Sequence, residues 1–133
     1  MEIREYTVYN EKEILPLYGS VGWTAYTDRP DALQKGFENS LLCLAAYEGE
    51  RMIGLVRVVG DGRTVVLIQD LVVHPKYQRR GVGTKLMNAV LERFRDVRQV
   101  QLITDDTPKT RAFYESLEFT ALEGLGCRGY MKT

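Results

Sequence analysis

The sequence predicts a mixed α/β fold, an antiparallel strand meander followed by β-α-β-α-β units, and three observations carry that prediction. Three apolar, strand-like stretches follow one another between residues 41 and 74, divided only by Gly49-Glu50 and Asp61-Gly62. Two stretches of helical periodicity then alternate with one short stretch of period two up to Leu117. The length of 133 residues, with 44% hydrophobic and 27% charged and no Gly, Ser or Pro tract, fits a single domain over residues 1–133.

In chain order, Ile3, Glu5 and Thr7 alternate with Arg4, Tyr6 and Val8 as a short opening strand. Asn10 is placed to cap a helix from Glu11 to about Val21, shortened or kinked by Pro16. Residues 22–29 read as a loop bearing Trp23 and Tyr26, and Pro30 opens a second helix with Leu33 and Phe37 on one face. Strands are expected over Leu41–Glu48, Arg51–Val59 and Arg63–His74. Val82, Leu86, Met87, Val90, Leu91 and Phe94 then mark an amphipathic helix ending near Arg95. Val97–Thr104 alternates as a strand, and Thr107 and Pro108 start a helix with Phe113 and Leu117 on its apolar side. Phe119–Leu122 and Arg128–Lys132 flank Gly124-Leu125-Gly126 as an expected closing hairpin.

Eighteen Lys and Arg balance eighteen Asp and Glu, so no net basic field draws the chain to nucleic acid or to an anionic membrane. Cys43 and Cys127 stand far apart without Cys-x-x-Cys or Cys/His spacing, which gives no metal site and suits a reducing compartment. The opening MEIREYTVYN is polar and charged where a secretory signal would turn apolar. No run approaches the roughly 20 apolar residues that span a bilayer. A cytoplasmic location is expected.

The stretch from Gln69 to Thr84 carries the chemistry. An apolar strand ends at Pro75, and a basic loop with two glycines, Gln78-Arg79-Arg80-Gly81-Val82-Gly83-Thr84, leads directly into the amphipathic helix. Unpaired N–H groups of a helix's first turn, its dipole and close backbone approach at glycine together favour a phosphate there. An ordinary strand-to-helix turn would share some of these features. The Walker loop is excluded because no Gly-Lys-Ser/Thr is present, and the dinucleotide fingerprint because Leu86 stands where its third glycine belongs.

What remains is Gln/Arg-x-x-Gly-x-Gly, and on it residues 67–94 resemble the acetyl-coenzyme A motif of the GNAT family of N-acetyltransferases. Ala112-Phe113-Tyr114-Glu115-Ser116-Leu117-Glu118-Phe119 is similar to that family's Phe-Tyr-x-x-x-Gly-Phe segment, with Glu118 in place of the usual glycine. The resemblance implies a GNAT-like fold and direct transfer of an acetyl group from acetyl-coenzyme A to an amine, without a metal. Such a site must deprotonate an ammonium, stabilise an oxyanion and protonate a departing thiolate. It further implies that the N–H groups from Arg79 to Thr84 hold the pyrophosphate, that backbone groups of Leu71, Val72 and Val73 hold the pantetheine arm and thioester carbonyl, and that Tyr114 is the general acid. The competing reading of Tyr114, which carries less weight, is an aromatic core residue beside Phe113.

Asp105 is the leading candidate for a general base, though Asp105 and Asp106 can equally prepare the helix start beside Thr107. Trp23, Tyr26 and Arg57 are acceptor-pocket candidates, as are Gln69 and Asp70, which simple alternation points to opposite faces of their strand. Their Gln-Asp-Leu-Val-Val strand is similar to that of amino-sugar-phosphate acetyltransferases. His74 is read as structural. The expected acceptor is a small-molecule amine, with a protein amine or a non-catalytic coenzyme A sensor as alternatives, and a homodimer is compatible with the sequence.

Overall fold

Five strands, β1 (Glu2–Glu5), β2 (Leu42–Glu48), β3 (Arg51–Gly60), β4 (Val65–Val73) and β5 (Gln99–Leu102), form one sheet in chain order. The first three pairings are antiparallel and β4 pairs with β5 in parallel. The computed structural model describes residues 1–133, in two compact units, Met1–Ile103 and Thr104–Thr133.

The first unit holds the sheet and four helices: α1 (Glu11–Ser20), α2 (Thr24–Thr27), α3 (Pro30–Glu38) and α4 (Val82–Arg93). Asn10 caps α1 as expected, its Oδ1 accepting from Lys12 N–H, and the helix runs through Pro16 to Ser20. The expected loop around Trp23 contains a single helical turn, α2. Ile14, Leu17 and Tyr18 of α1 and Leu33 and Phe37 of α3 pack with Leu55 and Val72 in one buried cluster on one face of the sheet.

Helix α4 covers the other face with Val82, Leu86, Met87 and Val90. Gly54 makes that approach possible: a Cβ there would stand 3.0 Å from Val82 Cγ1 and 3.2 Å from both Leu86 Cδ1 and Val72 O. The absent side chain lets the first turn of α4 sit directly on β3 and β4.

The meander turns follow their sequence signals. Asp61 accepts from the N–H groups of Arg63, Thr64 and Val65 and from the Thr64 hydroxyl, tying off the β3–β4 connection. These bonds hold its carboxyl well below the usual carboxylate range.

In the second unit α5 (Pro108–Ser116) begins at the expected Thr107, whose hydroxyl accepts from Thr110 N–H at 3.1 Å. The expected closing hairpin, and with it the last strand of the β-α-β-α-β series, is absent. A 3-10 turn occupies Leu122–Leu125, and residues 119–133 hold no strand. Groups of the first expected strand are engaged locally instead: Phe119 N–H bonds Tyr114 O, and the carbonyls of Ala121 and Leu122 accept from Gly124 and Cys127. A two-stranded hairpin is marginal on its own, so short local bonds suffice to displace it.

Glu118, the departure from the family pattern, sits in the left-handed region at φ 68, where the chain leaves α5. A residue with a Cβ costs about 1–2 kcal/mol there, partly offset by glycine's larger entropy when unfolded. Glu118→Gly is therefore expected to stabilise the protein by about 0.5–1 kcal/mol, read as a rise of a few degrees in a thermal melt. A fall in Tm would refute the strain argument.

Candidate functional site

Where β4 ends, His74 organises the approach to the basic loop. Its Nδ1 accepts from Lys76 N–H at 3.1 Å and its carbonyl accepts from Tyr77 N–H at 2.8 Å, forming a short 3-10 turn over Pro75–Tyr77. Burial, then Arg51 and Lys76, lower its pKa and favour the neutral ring that can accept this bond. Gln78 reaches back to donate from Nε2 to Val73 O at 3.0 Å, clamping the loop to the strand.

Arg79 at φ 65 and Gly81 at φ 79 both occupy the left-handed region, a sequence of turns that gathers successive N–H groups into an anion-binding concavity. No side chain caps α4, and its first turn contains no acidic residue. The first N–H of this stretch to find a protein acceptor is that of Lys85, bonded to Gly81 O at 3.0 Å. Six backbone donors, from Arg79 to Thr84, are thus free at a helix N-terminus, beside the exposed side chains of Arg79 and Arg80. A Cβ on Gly81 would meet no protein atom within 4 Å, so the space above it is open. Pairing with β5 stops at Ile68, which leaves the β5-facing edge of β4 unpaired along Leu71, Val72 and Val73. An open backbone edge leading to a cluster of free N–H donors fits a long ligand with a pyrophosphate. No group of three or more His, Cys, Asp or Glu is placed to hold a metal ion.

On the other face, one residue of register shift rearranges the acceptor-pocket candidates. Arg57 pairs with Asp70 but Val58 pairs with Ile68, so Gln69 is an extra residue in β4, a β-bulge. The expected opposition of Gln69 and Asp70 is thereby overturned: both reach the Tyr26 hydroxyl. Tyr26 donates to Asp70 Oδ1 at 2.6 Å and accepts from Gln69 Nε2 at 3.2 Å.

Asp70, only 3% exposed, also accepts from Arg57 Nε at 2.7 Å and from the Tyr18 hydroxyl at 3.0 Å, both at Oδ2. Arg57 Nη1 donates to Ser40 Oγ at 3.3 Å. Burial pulls the Arg57 guanidinium toward its neutral form, but the Asp70 carboxylate outweighs this and its pKa rises. Burial and then Asp70 raise the phenols of Tyr18 and Tyr26, so both remain hydrogen-bond donors. Trp23 joins the group by its ring, edge-on to Tyr18 with centroids 5.5 Å apart. Tyr18 and Ser40 escaped the sequence reading; Tyr18 lies on the apolar Ile14-Leu17-Tyr18 face of α1, and nothing in that spacing reveals its polar tip.

In the second unit Tyr114 packs edge-on against Phe113 at 4.9 Å and Phe119 at 5.9 Å. Burial raises its pKa while the Thr104 hydroxyl pulls the other way. Asp105 is exposed, and its carbonyl, not its carboxylate, takes the Thr110 hydroxyl. Asp106 bonds Arg111 Nε at 2.8 Å.

A mixed sheet with helices on both faces and an open-donor loop between its fourth strand and the following helix defines the acyl-coenzyme A N-acyltransferase class of fold. Residues 8–119 match the family model described as Acetyltransferase (GNAT) family, and the chain belongs to that family. It is similar to a GNAT-family acetyltransferase structure from Streptococcus pneumoniae TIGR4, with 37% identity, a TM-score of 0.91 and coverage of 99% of this chain and 96% of that one. An uncharacterized N-acetyltransferase ycf52-like protein of Prochlorococcus marinus is 35% identical over 122 residues, 87% of this chain and 65% of that protein. A glucosamine 6-phosphate N-acetyltransferase of Trypanosoma brucei brucei is 39% identical over 62 residues, 47% of this chain and 42% of that protein. The chain spans slightly less than two-thirds of the length of the Prochlorococcus relative.

Proposed function

We propose that the protein is an N-acetyltransferase that moves the acetyl group of acetyl-coenzyme A directly to the primary amine of a small molecule, acting as one domain over residues 1–133. The observation that carries this reading is the set of six free N–H groups from Arg79 to Thr84 at the end of β4.

In this reading those donors and the two arginines hold the pyrophosphate, and the open edge at Leu71–Val73 orients the thioester carbonyl. Acetyl-coenzyme A supplies the activated acetyl group. Tyr114 keeps its phenolic proton through neutral pH and gives it to the departing sulfur, as the family resemblance implies. Asp105 is assigned removal of the amine proton, directly or through water. Tyr26, Arg57 and Gln69 face the acceptor, with Asp70 fixing Tyr26 and Arg57 from beneath and Trp23 backing them. The partial likeness to a glucosamine 6-phosphate N-acetyltransferase supports amino-sugar phosphates as one acceptor class. Two free cysteines, Cys43 buried and Cys127 exposed, support a cytoplasmic location. No helix is long and apolar enough to cross a membrane.

The test is ligand-linked stability. Acetyl-coenzyme A at 100 times its Kd should stabilise the protein by about 2.7 kcal/mol, a rise of roughly 10 °C in Tm. Gly81→Asp places a carboxylate among the six donors, opposing the phosphates, and should erase most of that shift. The left-handed Cβ itself should cost only about 1–2 kcal/mol without ligand. A shift of equal size in the variant, or none in the parent, would exclude the loop as the phosphate site. Thiol release with an amine panel then separates an enzyme from a coenzyme A sensor.

A further inference from the structure

The cleft between α2 and α3 carries information about the acceptor itself. It encloses about 220 Å³ and is walled by Ala25, Ala32 and Leu33 together with the Tyr26 ring, and its two charged lining residues are Arg29 and Arg57. No acidic residue lines it. Asp70 lies beneath, with its charge offset by Arg57 at 2.7 Å and its oxygens taken by three protein donors. An acceptor entering here therefore meets two guanidinium groups and no carboxylate in the lining.

Arg57 is fixed for this purpose. Nε is held by Asp70 and Nη1 by Ser40, whose hydroxyl is anchored to Gly36 O at 2.7 Å. Gly36 leaves room for the guanidinium, since a Cβ there would stand 3.2 Å from Nη1. Nη2 makes no hydrogen bond within the protein, yet it is not a sealed, orphaned atom. Both of its N–H donors remain open on a guanidinium whose residue is 6% exposed. Holding a desolvated, immobilised guanidinium with one nitrogen open suits charge-assisted bonding to an anionic oxygen. Arg29 adds a second guanidinium that is exposed and joins no ion pair.

We propose that this cleft binds an anionic group of the acceptor, a carboxylate or a phosphate, between Arg57 Nη2 and Arg29, so that the substrate is an amine carrying its own negative charge. The proposal rests on the acetyltransferase reading and deepens it by naming the acceptor's chemistry. The geometry also explains the joining of Arg57 to β4: its backbone partner Asp70 immediately precedes the Leu71–Val73 edge, so the anion and the reactive amine would be anchored along one strand.

Matched acceptors test this on the intact chain: glucosamine 6-phosphate against glucosamine, and β-alanine against β-alaninamide. Binding is followed by calorimetry and turnover by thiol release at saturating acetyl-coenzyme A. At least one charged acceptor should bind about tenfold or more tightly than its uncharged counterpart, and the preferred pair tells phosphate from carboxylate. Arg29→Ala should raise the KM of that acceptor about tenfold while leaving its uncharged counterpart and acetyl-coenzyme A binding unchanged, and Arg29→Lys should recover part of the loss. Arg29 is exposed, so the fold should survive. Equal binding of charged and uncharged acceptors, absence of binding by all four, or equal effects of Arg29→Ala on both members of a pair would overturn the proposal. Selective binding without thiol release would leave the anion site standing and reject acetyl transfer. Thiol release without charge preference would do the reverse.

Discussion

Asp70→Ala is expected to destabilise the protein by about 3–5 kcal/mol, because it leaves the Arg57 guanidinium buried without its counter-charge. The Tyr18 and Tyr26 hydroxyls would lose their acceptor at the same time, and Tyr18 is fully buried. For a domain of 133 residues this corresponds to a fall in Tm on the order of 10–20 °C. Asp70→Asn retains the shape and one acceptor oxygen but loses the charge, so it should fall between the parent and the alanine variant. Replacing both partners, Arg57→Met with Asp70→Leu, should restore the part of the loss that comes from the unpaired charge, while the buried Tyr18 hydroxyl stays without its acceptor. A change in Tm below about 2 °C for Asp70→Ala would mean that Arg57 is solvated and the network is not a buried one.

Tyr114→Phe should lower kcat by about 10²-fold or more, the usual scale for loss of a general acid, while acetyl-coenzyme A affinity and Tm stay close to those of the parent. The ring contacts with Phe113 and Phe119 are kept in the variant, which isolates the hydroxyl. Burial raises the Tyr114 pKa above the ordinary phenol value, so the proton is held across neutral pH and loss of this acid should appear only on the alkaline side, beyond the ordinary phenol range. Single-turnover measurement ensures that chemistry limits the observed rate. An unchanged rate there would remove Tyr114 from proton transfer, and a collapse of Tm would assign it to packing.

Much of this molecule could be read locally. Asn10, Pro30 and Thr107 mark helix starts within the sequence itself, because capping and fixed φ act over three or four residues. Asp61 ties its turn through bonds that reach no further than Val65. The anion loop was legible for the same reason: free N–H groups at a helix start, two glycines and two arginines are all neighbours in the chain. The expected closing hairpin does not form, because alternation over four or five residues does not tell a strand from a local turn when neither has a strong partner.

The mixed sheet, the helix that presents Arg79–Thr84 and the family resemblance follow from periodicity and motif spacing, which are properties of adjacent residues. The meeting of Tyr18, Tyr26, Arg57 and Asp70, by contrast, depends on packing between distant segments. The hydroxyl of Tyr18 reaches its carboxylate across 52 positions, that of Tyr26 across 44. The bulge at Gln69 then sets which side chains share a face. Bulges and buried ion pairs are fixed by the register of neighbouring strands and by desolvation within a packed core, and neither exists until distant segments have come together.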